Sequence, residues 1–371
     1  MTKEKLCVVM PGFHWTVHNF CTVLSDYFHV FLCLPASESS GIANDKYTIV
    51  HYRNLSPAKE TPFNPSIIGT IRRIKPDAVV VGEDFQPNTI LLSLFQNSVG
   101  APIILITEKY FFSRIAYLNP LHRLLLRLVI RPLVWRRVCA IMPRTQAAHS
   151  FLISGGIGSL EVRIVPMGID MPEGISRFEN RLNEGEPLKL LTVGRLVPQK
   201  GIRELILALK IIPEELRQAH LAIVGDGPMK HELVELVSRL GLERYVEFLG
   251  QMPRDSLLKK YSEFDVYIQP SRVEVVGLAA LEALANGRAL IVSDVGGLKD
   301  IVDDDLNGIK IPPNNPKAIA AAITKLLRNP SRISEMQKSS YRKARLTYSW
   351  DMIARQYVDV FRTCIRFWRR K

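Results

Sequence analysis

Residues 189–201 read Lys-Leu-Leu-Thr-Val-Gly-Arg-Leu-Val-Pro-Gln-Lys-Gly, the clearest strand–turn–helix sequence in the second half of the chain. The apolar run Lys189–Val193 predicts a buried strand, which a glycine turn and a helix follow. Gly194 lets the backbone turn tightly and leaves room for a ligand. Arg195 and Lys200 add two cations beside the helix start, where N–H groups and the helix dipole favour an anion. The stretch predicts a diphosphate site, with a plain turn and two solvated cations as the alternative.

The same alternation of short apolar runs and helix-length amphipathic stretches extends over the whole chain. In the first half, strands are predicted at Leu6–Met10, Val30–Leu34, Ala78–Val81, Ile103–Ile106, Cys139–Met142 and Arg163–Val165. In the second half, they are predicted at Lys189–Val193, Leu221–Val224, Tyr245–Leu249, Val266–Ile268 and Ala289–Val292. Alternating strands and helices indicate parallel sheets covered on both faces, so two such series predict an α/β protein with two doubly wound domains.

The polar, acidic stretch 171–187, which is rich in Pro, Gly and Asn, separates the two series and is predicted to be a linker. It divides the chain into an N-terminal Rossmann-like domain over 1–170 and a C-terminal one over 188–347. Residues 348–371 are predicted to form a C-terminal helix with a basic tail that packs back towards the N-terminal domain.

Composition and charge exclude several classes of protein. The 371 residues are 47% hydrophobic and 23% charged, which is typical of globular proteins and not of disordered chains. The five cysteines are scattered and form no C-x-x-C pair, so neither a disulfide framework nor a zinc site is indicated. No run reaches the about 18 apolar residues of a membrane-spanning helix. The first apolar run ends at Pro11-Gly12, too soon for a signal peptide, so a cytoplasmic location is expected.

The net charge of +13 is concentrated in two acid-free segments, residues 109–160 and 360–371. A helix is predicted to begin at Asn119-Pro120 and to kink or end at Pro132. A cationic stripe, a Leu-rich body and a Trp are typical of helices that lie in a membrane interface, and a buried domain helix is the alternative. No nucleic-acid motif accompanies the basic residues. The predicted membrane contacts are Arg123, Arg127, Arg131, Trp135, Arg136, Arg137, Trp368, Arg369 and Arg370.

Two further motifs follow predicted strands. Ile223-Val-Gly-Asp-Gly-Pro228 is a glycine turn that by itself is weak evidence, and it does not complete the G-x-G-x-x-G pattern. In the stretch from Pro270 to Ala285, Glu282 stands amid Ala and Leu, where a carboxylate is costly unless it is paired. We therefore expect it to point into a polar cleft, with an exposed edge or a structural ion pair as alternatives. Gly277-Leu278 begins the helix and offers N–H groups to an anion.

With these motifs in this order, the chain resembles the retaining glycosyltransferases of family 4. The resemblance covers about residues 160–360 well and 1–160 loosely. That family has the GT-B fold, in which two Rossmann-like domains face a central cleft. The matching motifs are G-R-L-V-P-Q-K-G (194–201), the Glu-x7-Glu pair at 274 and 282, I-V-G-D-G-P (223–228), V-E-F-L-G (246–250), S-D-V-G-G (293–297), Y-S-W-D (348–351) and R-I-V-P-M-G-I-D (163–170).

The resemblance implies a role for each matching residue. Arg195 and Lys200 would hold the donor diphosphate as it leaves, Glu274 would bond the donor sugar, and Glu282 would accept from ribose hydroxyls. The implied catalytic residues are Arg195, Lys200 and Glu274, and the implied donor-binding residues are Gly12, Gly194, Gly225, Asp226, Gly277, Leu278 and Glu282. Arg and Lys would replace a divalent metal, so the expected co-substrate is a UDP- or GDP-sugar with no metal and no cofactor. Asp303-Asp-Asp305 matches a metal-binding Asp-x-Asp only formally and is expected in an exposed loop.

Three departures from the family pattern concern the acceptor and the sugar. The first turn is Pro11-Gly-Phe-His-Trp15, where the family commonly has a Gly-Gly pair. Val275-Val276 stands where the family usually has some residue followed by Phe. Thr107-Glu108 stands where many members have a His near the sugar. Acceptor-side candidates are Phe13, His14 and Glu108, with a purely structural role as the alternative for His14.

These observations predict a retaining transfer from a nucleotide sugar to a lipid-linked glycan or glycolipid at the cytosolic face of an anionic membrane. A soluble transferase acting on a small sugar or a polysaccharide precursor is the first alternative. A non-catalytic GT-B-like scaffold of a membrane complex is the second.

Overall fold

Two compact units, each built around one sheet, make up the chain in the computed structural model. The structure describes residues 3–10, 14–36, 44–53, 55, 63–83, 86–108, 124, 126–157, 161–172 and 187–370. The first unit comprises residues 1–168 and 350–371, and the second comprises residues 169–349. Gly12, Phe13, Arg123 and most of the predicted linker lie outside the described residues.

The first sheet has seven parallel strands in the order β3-β2-β1-β4-β5-β6-β7. Its central strands are continuous apolar runs because helices cover both faces. The strands are β1 Lys5–Val9, β2 His29–Pro35, β3 Thr48–Tyr52, β4 Ala78–Gly82, β5 Ile103–Thr107, β6 Ala140–Pro143 and β7 Glu161–Val162.

The second sheet has six parallel strands in the order β10-β9-β8-β11-β12-β13. The order reverses between β8 and β11, and ligands of doubly wound folds bind beyond the carboxyl ends of strands at such a point. The strands are β8 Leu188–Val193, β9 Ala219–Val224, β10 Val246–Gly250, β11 Val266–Gln269, β12 Ala289–Ser293 and β13 Gly308–Ile311.

Helices connect the strands in both units. Those of the first unit are α1 Trp15–Leu24, α2 Ser66–Ile74, α3 Pro87–Leu94, α4 Gln96–Val99, α5 Leu126–Trp135, α6 Gln146–Ser154 and the terminal α14 Trp350–Arg369. Those of the second are α7 Ile202–Ile211, α8 Lys230–Leu240, α9 Arg254–Lys260, α10 Leu278–Ala285, α11 Leu298–Ile301, α12 Pro316–Leu327 and α13 Pro330–Lys343. Single turns occur at Pro198–Lys200, Glu214–Leu216, Tyr261–Glu263 and Ala344–Tyr348.

The terminal helix α14 packs in the core of the first unit. Tyr357 meets Phe20 edge-on with ring centroids 5.0 Å apart, and Phe361 lies 6.1 Å from Phe28. The backbone of Ile169, by contrast, pairs with Ser349, and its N–H donates to the carbonyl of Tyr348 at 2.8 Å. The chain therefore enters and leaves the second unit at neighbouring positions.

The predicted α/β fold with two doubly wound units is confirmed. The two sheets differ from the prediction mainly in their edge strands. The strand predicted at Arg163–Val165 lies just beyond the observed β7, Glu161–Val162. The N–H groups of Arg163 and Val165 still donate to the carbonyls of Ile141 and Pro143 at 3.2 and 3.0 Å, but Pro143 has no N–H to donate in return, so the ladder ends there. Two edge strands, β3 and β13, were not predicted. Their residues are half-buried or exposed at several positions, so they lack a continuous apolar run.

Candidate active site

The turn after β8 carries the predicted diphosphate residues. Val193 ends the strand, Gly194 and Arg195 follow, and Lys200 ends the single turn that precedes α7. Gly225, at the carboxyl end of the adjacent strand β9, has φ +138°, and a Cβ there would lie 1.9 Å from the carbonyl oxygen of Gly194. Only glycine allows the two strand ends to approach this closely. Gly194 and Gly225 thus bring the two predicted glycine motifs together.

Lys200 and Glu274 form the central ion pair of this region. The Lys200 Nζ lies 2.6 Å from the Glu274 Oε2, and the two side chains are only 27% and 13% exposed. The same oxygen accepts from the Gln269 amide and from the Ser271 hydroxyl at 3.3 Å. Tyr267 in turn donates to the Gln269 Oε1 at 3.0 Å. The cation and the carboxylate that were predicted as catalytic residues therefore contact each other beyond the ends of β8 and β11.

Arg195 differs from Lys200 in its surroundings. Its residue is exposed, and within the described residues its side chain has no hydrogen bond and no ion pair. The next acid in sequence, Glu204, is buried in the first turn of α7 and pairs with Arg272 at 2.6 Å. The guanidinium of Arg195 is consequently available to an anion.

Glu282 lies on α10 and is almost fully buried. Its Oε2 accepts from the Tyr261 hydroxyl at 3.1 Å, and its Oε1 lies 3.5 Å from the Arg254 Nε. Arg254 also donates to Asp170 at 3.2 Å. Burial raises the pKa of the Glu282 carboxyl, while the charge of Arg254 and the hydrogen bond from Tyr261 oppose that rise. The structural ion pair, which was one of the alternatives for Glu282, is thus present.

Gly277 and Leu278 begin α10 as predicted. Gly277 caps the helix with φ +85°, and among the residues that the structure describes no side chain caps the first N–H groups. A Cβ at Gly277 would lie 2.7 Å from the Leu298 Cδ2, so glycine is required there for both conformation and space. The helix start therefore presents uncapped donors.

Asp226, the fourth residue of the weak glycine motif, is exposed at the turn after β9. It accepts from the Gly227 N–H at 2.7 Å and from the Lys230 Nζ at 3.1 Å. The hydrogen bond from Lys230 lowers the pKa of its carboxyl. These contacts describe a turn-stabilising residue, and its predicted role towards the donor stays a prediction.

Sequence reasoning missed several residues of the second unit that hold the two predicted carboxylates. Gln269 and Ser271 contact Glu274, and Arg254 and Tyr261 contact Glu282. Gln269 is the one that the sequence could have revealed, since a polar residue ends an otherwise apolar strand. Arg254 and Tyr261 gave no such signal, because they come from α9 and the turn after it.

In the first unit, the acceptor-side candidates have different surroundings. His14 is the N-cap of α1, and its Nδ1 accepts from the Thr16 N–H at 3.4 Å. Glu108 follows β5 and lies 3.1 Å from Arg144, which follows β6. His14 therefore has a structural role of its own, whereas Glu108 belongs to an ionic cluster at the carboxyl end of the sheet.

The predicted membrane contacts divide into exposed and buried residues. Trp135 is fully buried in the core and not interfacial, so this prediction is wrong. The four-residue spacing assumed an α-helix, but α5 is wound as a π-helix that contains Pro132. Arg127, Arg136 and Arg137 are exposed, whereas Arg131 is only half-buried.

The tail residues belong to α14 and the residue after it. Trp368 is half-buried, and Arg370 is exposed. Arg369 is held by Asp77 at 2.6 Å and by Glu4 at 3.5 Å, so its charge is already neutralised on the first unit. Within the part of the chain that the structure describes, no helix has the length and apolar character needed to cross a bilayer.

Two doubly wound parallel sheets, with glycine turns and a Glu-x7-Glu pair in the second unit, define a protein of the GT-B fold. Residues 174–346 match the family described as Glycosyl transferases group 1. The chain therefore carries a glycosyl transferases group 1 domain in its second unit, which confirms the resemblance.

Relatives extend the likeness beyond this domain. The chain is 26% identical to the sulfoquinovosyl transferase of Arabidopsis thaliana over 329 residues, 83% of this chain and 61% of that protein. It is 30% identical to the GDP-mannose-dependent alpha-(1-6)-phosphatidylinositol monomannoside mannosyltransferase of Mycobacterium tuberculosis over 232 residues, 59% of each. The chain thus spans about three fifths of these relatives. The crystal structure of Anabaena HepE in complex with UDP shares the fold, with a TM-score of 0.75, 19% identity, and coverage of 97% of this chain and 100% of that chain.

Proposed function

We propose that this protein is a retaining, metal-independent glycosyltransferase that moves a sugar from a UDP- or GDP-sugar to an acceptor hydroxyl. The observation that carries the proposal is the Lys200–Glu274 pair, together with an exposed Arg195 that has no partner among the described residues, in a glycosyl transferases group 1 domain. The relatives are named as sugar transferases, and the structural neighbour HepE was crystallised with UDP. The GDP-mannose in one relative's name and the UDP in the HepE crystal favour a nucleotide sugar as the donor.

The two cations suit the chemistry of the donor. The glycosidic bond to a diphosphate breaks through an oxocarbenium-like state, and negative charge grows on the leaving oxygen. Arg195 and Lys200 would stabilise that charge in place of a metal ion. The acceptor attacks from the face that the diphosphate leaves, so the anomeric configuration is retained.

The two carboxylates would bind different parts of the donor. Glu274, at the centre of the Lys200 and Gln269 contacts, would bond a hydroxyl of the transferred sugar. Glu282, held by Arg254 and Tyr261, would accept from the ribose hydroxyls. Uncapped N–H groups at Gly277 and Leu278 would face the phosphate.

A thermal-shift panel of UDP, GDP and their sugars tests the donor. A nucleotide that binds only the folded state at about 100 times its Kd stabilises it by about 2.7 kcal/mol, which raises the melting temperature. NMR of the product of the stabilising donor then reports the anomeric configuration. A protein that binds a donor but neither hydrolyses nor transfers it would be a scaffold, and inversion of the anomeric centre would refute retention.

For the acceptor, we propose a lipid-linked glycan or glycolipid at the cytosolic face of an anionic membrane. Arg127, Arg136 and Arg137 are exposed in and after α5. Leu128, 66% exposed, and Ile153, 48% exposed, lie on the same unit. Such a mixture of cations and apolar side chains is typical of membrane-interface surfaces. One relative is named for a phosphatidylinositol mannoside acceptor.

Vesicle binding tests this location. Replacing Arg127, Arg136 and Arg137 with Glu should release the protein from anionic vesicles, because each cation contributes about 1 kcal/mol near an anionic leaflet. The control replaces the exposed cations Arg239, Arg244 and Lys259 of the second unit with Glu, which makes the same change in net charge. If both triple variants lose vesicle binding equally, the loss reflects net charge in general. If neither variant loses vesicle binding, a soluble acceptor is the better interpretation.

A further inference from the structure

Two segments of the second unit carry the Lys200–Glu274 pair, and they are far apart in sequence. The lysine segment is residues 198–204, the turn after β8 and the first turn of α7. The glutamate segment is residues 270–274, which follow β11. The Lys200 Nζ and the Glu274 Oε2 are 2.6 Å apart although 74 residues separate them. The geometry of the pair therefore depends on what holds the two segments together.

The backbones of the two segments contact each other on both sides of Lys200. The Arg272 N–H donates to the carbonyl of Gln199 at 2.8 Å. Gly201 has φ +67°, and a Cβ there would lie 2.0 Å from the carbonyl oxygen of Pro270. Only glycine allows this approach, in conformation and in space. The residues immediately before and after Lys200 are thus both in contact with the glutamate segment.

The side chain of Arg272 adds a third contact, to Glu204 in the first turn of α7. One guanidinium nitrogen donates to the Glu204 Oε1 at 2.6 Å. The Glu204 side chain is only 6% exposed, whereas that of Arg272 is 43% exposed. A buried carboxylate is costly unless it is paired, and a charge-assisted hydrogen bond is among the stronger contacts. Glu204 therefore holds the side chain of Arg272 on the lysine segment.

Arg272 joins the two segments at the level of the reacting groups. Its own segment places Glu274 two residues further on, and its two contacts in the lysine segment lie before and after Lys200. We propose that Arg272 and Glu204 are positioning residues that hold Lys200 and Glu274 in the relative position required for sugar transfer. Their effect on the reaction passes through Lys200 and Glu274. This inference deepens the proposed function and rests on it for the roles of those two residues.

Turnover of the donor that stabilises the protein in the thermal-shift panel tests the proposal. Arg272→Met should lower kcat about tenfold or more, because a displacement of about 1 Å at a reacting group can cost about 10² in rate. Arg272→Lys should retain most of the kcat, since an ammonium can make the single hydrogen bond to Glu204. The control is Arg203→Met, which removes an exposed pair with Glu232 on the same helix and should leave kcat unchanged.

Two double variants separate positioning from stability. Arg272→Met leaves Glu204 buried without its cation and should lower the melting temperature. Adding Glu204→Gln removes that unpaired charge, so the melting temperature should rise again while kcat stays low, because the contact between the segments is still broken. In a Lys200→Ala background, Arg272→Met should lower kcat no further, since both changes remove the same contribution.

Three outcomes would overturn the proposal: Arg272→Met keeps the kcat of Arg203→Met, kcat recovers together with the melting temperature when Glu204→Gln is added, or the losses of Arg272→Met and Lys200→Ala multiply. A wild-type protein without turnover would refute the proposed function and the positioning role with it. An active wild type with any of the three outcomes would refute the positioning role alone.

Discussion

Replacing Arg254 with Met should destabilise the protein in a pH-dependent way, because it leaves Glu282 buried without its cation. The Arg254 Nε lies 3.5 Å from a carboxylate whose side chain is 7% exposed. Two unit charges at that distance interact by about 5 kcal/mol at an effective dielectric constant of 20, and breaking a buried pair typically costs about 3–5 kcal/mol. Arg254 itself is 28% exposed, so the lower end of that range, about 3 kcal/mol, is expected near pH 7.5.

The sign of the pH dependence follows from the pKa of Glu282. Burial already raises the pKa of this carboxyl in the folded protein, and removing Arg254 raises it further. The folded state then binds a proton that the unfolded state releases, so stability falls as pH rises from the ordinary Glu value of about 4.3 through the folded pKa. Below that window Glu282 is neutral in both states, and the cost of Arg254→Met should shrink.

Urea unfolding of wild type and variant between pH 4.5 and 8 measures this difference. Asp170 and Tyr261 also face the pair, so Asp170→Asn serves to separate the contribution of the second carboxylate. The control is Arg203→Met, which removes an exposed pair with Glu232 and should cost at most about 1 kcal/mol at any pH. A cost of Arg254→Met that stays constant with pH, or that equals the cost of the control, would refute the reasoning.

Three further predictions concern single residues. Turnover should fall by about 10²–10³ in each of Arg195→Ala and Lys200→Ala. Only Lys200→Ala should also lower the melting temperature, because it leaves Glu274 without its cation. Equal melting temperatures of the two variants would contradict this. Glu282→Gln should weaken donor binding in calorimetry, whereas Glu274→Gln should mainly lower kcat, since a group that touches the reacting sugar contributes most in the transition state; unchanged donor affinity in Glu282→Gln would count against the ribose role. Trp135→Ala should cost about 3–5 kcal/mol in urea unfolding without reducing vesicle binding; near-wild-type stability would argue against its place in the core.

The sequence was sufficient to predict the two parallel sheets, because buried parallel strands appear in it as short continuous apolar runs. Apart from Thr107 at the end of β5, the buried positions of β1, β4 and β5 are apolar. The glycines at 194 and 225 stand where two strand ends must approach. Edge strands β3 and β13 leave a weaker signal, since each is covered on fewer sides. The framework was therefore predictable where burial is complete, and less so where it is partial.

The error at Trp135 has a different cause. Arginines at every fourth position indicated one face of an α-helix, and the adjacent Trp was placed with them in a membrane interface. α5 is wound as a π-helix, and its Trp points into the core beside Ile130 and Val134. Residue spacing predicts which side chains share a helix face only when the number of residues per turn is known. No residue type in this segment predicts a π-helix.

The pairing of charges was the least predictable part of the candidate site. Lys200 meets Glu274 and Arg254 meets Glu282 across long stretches of sequence, because the sheet brings distant strand ends together. Periodicity and motif spacing describe single elements and carry no information on which cation meets which carboxylate. The residue types of the site were thus predictable, whereas its electrostatics required the structure.

Those pairings bear directly on the proposed reaction. Glu274 neutralises Lys200, so a diphosphate that takes Lys200 as a partner must compete with that carboxylate. Once Lys200 turns to the phosphate, Glu274 retains Gln269 and Ser271 as donors and gains the capacity to accept from a sugar hydroxyl. Phosphate binding and sugar binding would then favour each other. The phosphate would pair with Lys200 and leave Glu274 available, and the sugar hydroxyl would donate to Glu274 and leave Lys200 available. Arg195, which is exposed and has no partner among the described residues, needs no such exchange and would make the first contact with the incoming anion.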